Sequence, residues 1–127
     1  MAGKPQKHPW WYSFKWAFRG AFYTFKTQKH MKFHLVAAIL VILAAFILEV
    51  EPWQWAVLFL TIGSVITAEA FNTAIELVLD LTHPQYHPLA GLAKDVAEGA
   101  VLLSSIIAVI IGVIIFGPYL LRATGTG

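Results

Sequence analysis

The residues from Leu35 to Leu48 form an unbroken apolar run, and the apolar segment that contains it, 31–50, is closed by Glu49, Glu51 and Pro52. At ~1.5 Å per residue, about 20 helical residues cover the ~30 Å hydrocarbon core of a bilayer. The pattern therefore predicts a first membrane helix over 31–50. Trp53 and Trp55 then open a second helix as an aromatic anchor at the outer interface. Its apolar run reaches Ala68 and its helical pattern continues to Leu81, giving a membrane helix over 53–81. The segment THPQYHPLA, with its two prolines, reads as a cytoplasmic loop over 82–91. A third helix over 92–121 begins polar with Lys94, Asp95 and Glu98 and then turns wholly apolar, closing around Gly117–Pro118.

Ahead of these spans, Trp10, Phe14, Ala17, Phe18, Ala21, Phe22 and Phe25 recur at intervals of three and four, with lysines and Arg19 largely between them. That is the pattern of a basic amphipathic helix, here over about 9–28, lying in the membrane interface. The expected fold is thus a single all-α integral membrane domain over 1–127, with one surface helix and three transmembrane helices.

Composition agrees: 58% of the 127 residues are hydrophobic, 13% are charged and none is cysteine. Soluble domains run nearer ~45–50% and ~25%, so the main solvent here is lipid. Disorder, a disulfide scaffold and cysteine-based metal or redox chemistry are excluded. Seven of the nine basic residues precede the unbroken apolar run that starts at Leu35, and no acidic residue occurs before Glu49. Such an excess of Lys and Arg marks the cytoplasmic side, placing the N-terminus there. Anionic headgroups, rather than nucleic acid, are the expected partners of this arm.

The second helix carries the chemistry. In EAFNTAIELVLD, at ~100° per residue, Glu69, Asn72, Thr73, Glu76 and Asp80 fall within an arc of ~100°. An acidic residue inside a span costs ~2.5–3.5 kcal/mol on insertion scales, so such residues face a polar interior and mark function. Carboxylates one turn apart repel unless a cation sits between them, and this donor set suits Mg²⁺ bound together with substrate phosphates. The alternative is a solvated extension of the helix satisfied by Lys or Arg of the surface helix. It weighs most for Asp80 and least for Glu69, the deepest of the set.

The short loop lets Lys94 approach Glu76 and Asp80, although Lys94 and Glu98, one turn apart, could also pair. Asp95 is rotated ~100° from Lys94. His83 and His87 are expected to be structural, and His30 and His34 to be interface residues. Neither GxxxxGK nor GxGxxG occurs.

At these residues the sequence resembles the prokaryotic diacylglycerol kinase family, small membrane lipid kinases that include undecaprenol kinases. The resemblance lies in EAFNTAIELVLDL and YHPLAGLAKDVAEGAVLL, more loosely in YSFKWAFRG and MKFH, and covers nearly all of the chain after the first dozen residues. It implies transfer of the γ-phosphate of ATP, with Mg²⁺, to a membrane lipid hydroxyl at the cytoplasmic interface. By position it implies that Glu69 is the general base and Glu76 a metal ligand. Asn72 and Asp80 are implied as nucleotide-site residues, with Lys94 and Asp95 organising the phosphates. It also implies a homotrimer with sites built between subunits.

Two departures stand out. Gln28 occupies the place of a second metal-binding glutamate, and Glu98 stands where relatives carry a small residue. The expectation is that Glu98 supplies, from the third helix, the carboxylate absent at Gln28. DVAEGAVLL and NTAIE resemble the undecaprenol kinase branch, so undecaprenol is favoured over diacylglycerol as substrate. A proton or ion carrier is the rival of another class, but no acidic residue lies in the outer half of a span to continue a path. A non-catalytic membrane subunit is the other.

Overall fold

A computed structural model describes residues 7–125. It contains four helices: α1 (Trp11–Thr27), α2 (Met31–Ile47), α3 (Pro52–Thr82) and α4 (Pro88–Ala123). The all-α expectation holds. By length and apolar composition α3 and α4 can each cross a membrane, whereas α1 and α2 meet that test only as a pair, bent by 100° at the break between them. With 17 residues, α2 rises ~26 Å, less than its sequence pattern suggests.

The reason lies in how α2 ends. Glu49 adopts the left-handed region at φ 53. The Val50 N–H bonds back to the Ala45 carbonyl at 3.2 Å and the Glu49 N–H to that of Phe46 at 3.3 Å. This is a Schellman terminus, with Val50 and Ala45 supplying the apolar contact that accompanies it. The chain then turns directly into α3, where Pro52 takes the first helical position and the Glu51 N–H donates to Gln54 Oε1 at 2.9 Å.

At this end sits the main apolar core. Ala45, Val50, Leu58 and Ile115 are buried, with Val41, Trp55, Ile111 and Tyr119 packed around them. Tyr119 donates to Gln54 Oε1 at 2.6 Å, so the buried amide oxygen serves two donors. Within the span the hydroxyls are tied to their own helix: Thr61 Oγ1 donates to the Val57 carbonyl at 2.7 Å and Ser64 Oγ to that of Leu60 at 2.8 Å. These groups are satisfied without water and build no site.

α3 and α4 form the closest helix pair, joined by a short turn. α4 begins at Pro88, four residues earlier than the sequence pattern indicates, because His87 Nδ1 accepts the Leu89 N–H at 3.1 Å and Pro88 is preset for the first turn. It also continues through Pro118 to Ala123. Facing outward are large apolar side chains such as Phe59, Leu60, Leu102, Leu103, Val109 and Val113, each more than half exposed. Such a surface is stable in lipid and not in water.

Candidate active site

The acidic stripe lies some four turns along α3 from the apolar core, on the side that faces α2 and α4. Glu69 and Asn72 are each 1% exposed and Thr73 is 3% exposed, in a helix whose other faces are studded with exposed Phe and Leu. Polar groups this deeply buried require partners. Thr73 Oγ1 satisfies itself on the Glu69 carbonyl at 2.8 Å. Glu69 Oε1 lies 3.6 Å from His34 Nε2 on α2. Glu69 Oε2 and Asn72 Oδ1 have no hydrogen-bond partner and are wholly buried.

One turn on, the Asn72 amide nitrogen is the hub of a second group. It donates to Glu76 Oε1 and to Glu98 Oε1, each at 3.2 Å. Glu98 comes from α4 and is itself exposed, beside the buried Ala97. Two carboxylates of like charge thus converge on one neutral donor.

At the mouth of the cluster Lys94 Nζ meets Asp80 Oδ1 at 2.7 Å. The short turn between α3 and α4 brings these residues together, and Lys94 pairs with Asp80 rather than with Glu98. Both side chains are substantially exposed, 42% and 64% respectively, so the pair is a solvated ion pair of small energetic weight. Asp95 is exposed and makes no hydrogen bond or ion pair.

Gln28 forms the C-cap of α1, its N–H bonded to the Thr24 carbonyl at 3.1 Å and its backbone extended where the chain bends into α2. Its side chain is half-buried and no hydrogen bond joins it to Glu76 or Glu98. Among the described residues no three His, Asp or Glu side chains converge as a complete metal cage. The Glu76–Glu98 pair has the donor set of a partial site, which suits a hard cation completed by substrate phosphates. His83 and His87 face each other at 5.6 Å between ring centroids, flanking the turn, and His87 caps α4. Their role in the fold is structural.

His34 is the residue that sequence reasoning set aside. It was read as an interface residue at the head of the first span, yet it is half-buried against the most buried carboxylate of the chain. Its spacing from Met31 was the available signal: the two share a helix face, and Met31 is 0% exposed.

A groove of about 700 Å³ runs along α3 and α4 to Asn72, walled by Phe59, Leu60, Phe71, Ile75 and Ala97. An apolar groove that ends at the buried Asn72 suits a lipid whose reactive end is polar.

Comparison with known proteins decides the family. Residues 15–116 match the family described as prokaryotic diacylglycerol kinase. The chain belongs to that family. It is therefore a lipid kinase and a membrane protein. It is 43% identical over 108 residues to the undecaprenol kinase of Bacillus subtilis, covering 85% of this chain and 88% of that protein. It is 47% identical over 110 residues to the diacylglycerol kinase of Synechocystis, covering 86% of this chain and 63% of that one. With the diacylglycerol kinase of Escherichia coli K12 it shares 39% over 75 residues, 59% of this chain and 62% of that one. The chain thus spans less than two thirds of the latter two relatives.

Proposed function

We propose that the protein transfers the γ-phosphate of ATP, with Mg²⁺, to the primary hydroxyl of undecaprenol, giving undecaprenyl phosphate. The observation that carries this reading is the buried Glu69 with one free carboxylate oxygen, one turn from the Asn72–Glu76–Glu98 group. Phosphoryl transfer needs a base at the nucleophile, a cation at the phosphates and fixed geometry between them, and these residues supply each.

In this reading Glu69 takes the hydroxyl proton of the lipid. Glu76 and Glu98 hold the metal, with Gln28 contributing at most a neutral oxygen from α1. Mg²⁺ supplies charge neutralisation at the transferring phosphate. Asn72 orients both carboxylates through its amide. Lys94 exchanges Asp80 for phosphate oxygens when the nucleotide enters, and Asp95, free on the exposed face, orders the nucleotide beside it. The isoprenoid lies along the α3–α4 groove with its hydroxyl toward Glu69.

The same reading places α2, α3 and α4 across a bacterial inner membrane as three spans, α1 on its cytoplasmic face, and the site at that face, as the basic arm favours. The chains associate as a homotrimer, which would cover the apolar faces of α3 and α4 and add groups to the half-built metal site.

Undecaprenol is preferred on the likeness to the Bacillus subtilis enzyme, which covers 85% of this chain and 88% of that one. Diacylglycerol is the second reading, favoured by the identity to the Synechocystis enzyme. Transfer from labelled ATP to each lipid in mixed micelles, with magnesium in excess, tests the proposal. Faster phosphorylation of undecaprenol supports it, and a preference for diacylglycerol moves the substrate to the second reading.

A further inference from the structure

The carboxylate of Glu69 is divided. Oε1 lies 3.6 Å from His34 Nε2, while Oε2 is buried with no partner. A carboxylate taken out of water is costly unless a cation or donor holds it. From α2 the group within reach is His34. On its own helix Thr73 donates to the Glu69 backbone carbonyl and Asn72 turns its amide to Glu76 and Glu98. From α1 and α4 no charged side chain among the described residues forms an ion pair with it. Among the described residues, His34 is the one ion-pairing group within reach of the carboxylate.

The backbone explains why it is there. α2 starts after the 100° bend with Met31 fully buried. His34, one turn further along the same face, is carried against α3 rather than into lipid.

We propose that His34 is a positioning residue for phosphoryl transfer: by lying against Oε1 it fixes Glu69 with Oε2 as the atom that meets the lipid hydroxyl. This rests on the reading of Glu69 as the base. In the transfer the lipid O–H bond breaks and its proton passes to Glu69 Oε2. The lipid oxygen bonds to the γ-phosphorus, and the bond from that phosphorus to the β–γ bridging oxygen breaks, its electron pair leaving on ADP. A base turned away from the hydroxyl cannot begin this step. His34 touches neither reactant and acts through Glu69 alone.

The test compares full-length wild type, His34→Leu, His34→Gln and Glu69→Gln in mixed micelles. Leucine removes the donor, whereas the amide of glutamine reaches about as far as Nε2. His34→Leu is expected to lower kcat by about tenfold to a hundredfold, the range of a weakened general base, with KM for ATP and lipid changed by less than about threefold. His34→Gln should recover most of kcat.

Wild-type kcat in folded His34→Leu overturns the proposal. Should that variant fail to fold, His34→Asn, whose amide stops short of the carboxylate, replaces it. Equal activity of the Asn and Gln variants then overturns the proposal. If Glu69→Gln is as active as wild type, the reading of Glu69 as base fails with it. If Glu69→Gln is inactive while His34→Leu is unaffected, only the role of His34 falls.

Discussion

Glu98 reaches across from α4 to accept a hydrogen bond from the amide nitrogen of Asn72 at 3.2 Å. The same nitrogen serves Glu76 at an equal distance, so two helices present carboxylates to one point. Neither carboxylate forms an ion pair with a lysine or arginine among the described residues; the donor between them, Asn72, is 1% exposed.

The first expectation concerns that pair. Removing one of two anionic ligands weakens a hard-cation site, whose affinity follows ligand charge. Glu98→Ala should raise the Mg²⁺ concentration for half-maximal activity by about tenfold, within the range reported for loss of groups that support a metal. Binding of Mn²⁺ to the protein, followed by electron paramagnetic resonance without nucleotide, should weaken in parallel. An unchanged Mg²⁺ requirement would show that Glu98 serves only to hold Asn72.

Lys94 and Asp80 make contrasting predictions. Their 2.7 Å pair is solvated, so Asp80→Asn should change thermal stability by no more than ~1 kcal/mol. Lys94→Met removes the cation assigned to the phosphates and should lower kcat by about 10²-fold or more, as loss of a charge-stabilising donor does elsewhere. Equal losses in the two variants would mean that Lys94 acts only through Asp80.

Glu49 offers a change remote from the site. A non-glycine residue in the left-handed region is strained by about 1–2 kcal/mol, and this one closes α2 in a Schellman turn. Glu49→Gly should raise the unfolding midpoint in micelles and leave kinase activity within about twofold. A fall in the midpoint would mean that the Glu49 side chain contributes more than the backbone relief returns.

Tyr119 and Gln54 test the opposite end of α3. Tyr119→Phe removes a 2.6 Å hydrogen bond but leaves Gln54 Oε1 its bond from the Glu51 N–H. The expected loss is therefore about 0.5–1.5 kcal/mol, read by thermal unfolding, with no shift in Mg²⁺ requirement. A shifted requirement would couple the two ends of the bundle.

Much of this arrangement is written in local spacing. The stripe from Glu69 to Asp80 follows from 3.6-residue periodicity, and the meeting of Lys94 with Asp80 follows from the shortness of the turn between α3 and α4. What spacing misses is set by helix ends and by packing. α2 stops at Ile47 because Glu49 takes a backbone conformation that its side chain does not advertise, and α4 starts at Pro88 because His87 caps it. The place of Gln28 depends on a 100° bend that no periodicity encodes. His34 lies 35 positions before Glu69, and only the packing of α2 on α3 joins them. The competing pair Lys94–Glu98, available at one-turn spacing, loses because Asp80 is closer across the helices and Glu98 is drawn to Asn72.

The central claim is that Glu69 is the base of a lipid kinase. The most direct measurement is single-turnover transfer from labelled ATP to undecaprenol by wild type and by Glu69→Gln, each shown to bind nucleotide and Mg²⁺ equally. The account predicts that the amide variant binds both and transfers at least about 10²-fold more slowly, the usual contribution of a general base. Transfer at the wild-type rate by Glu69→Gln would contradict it.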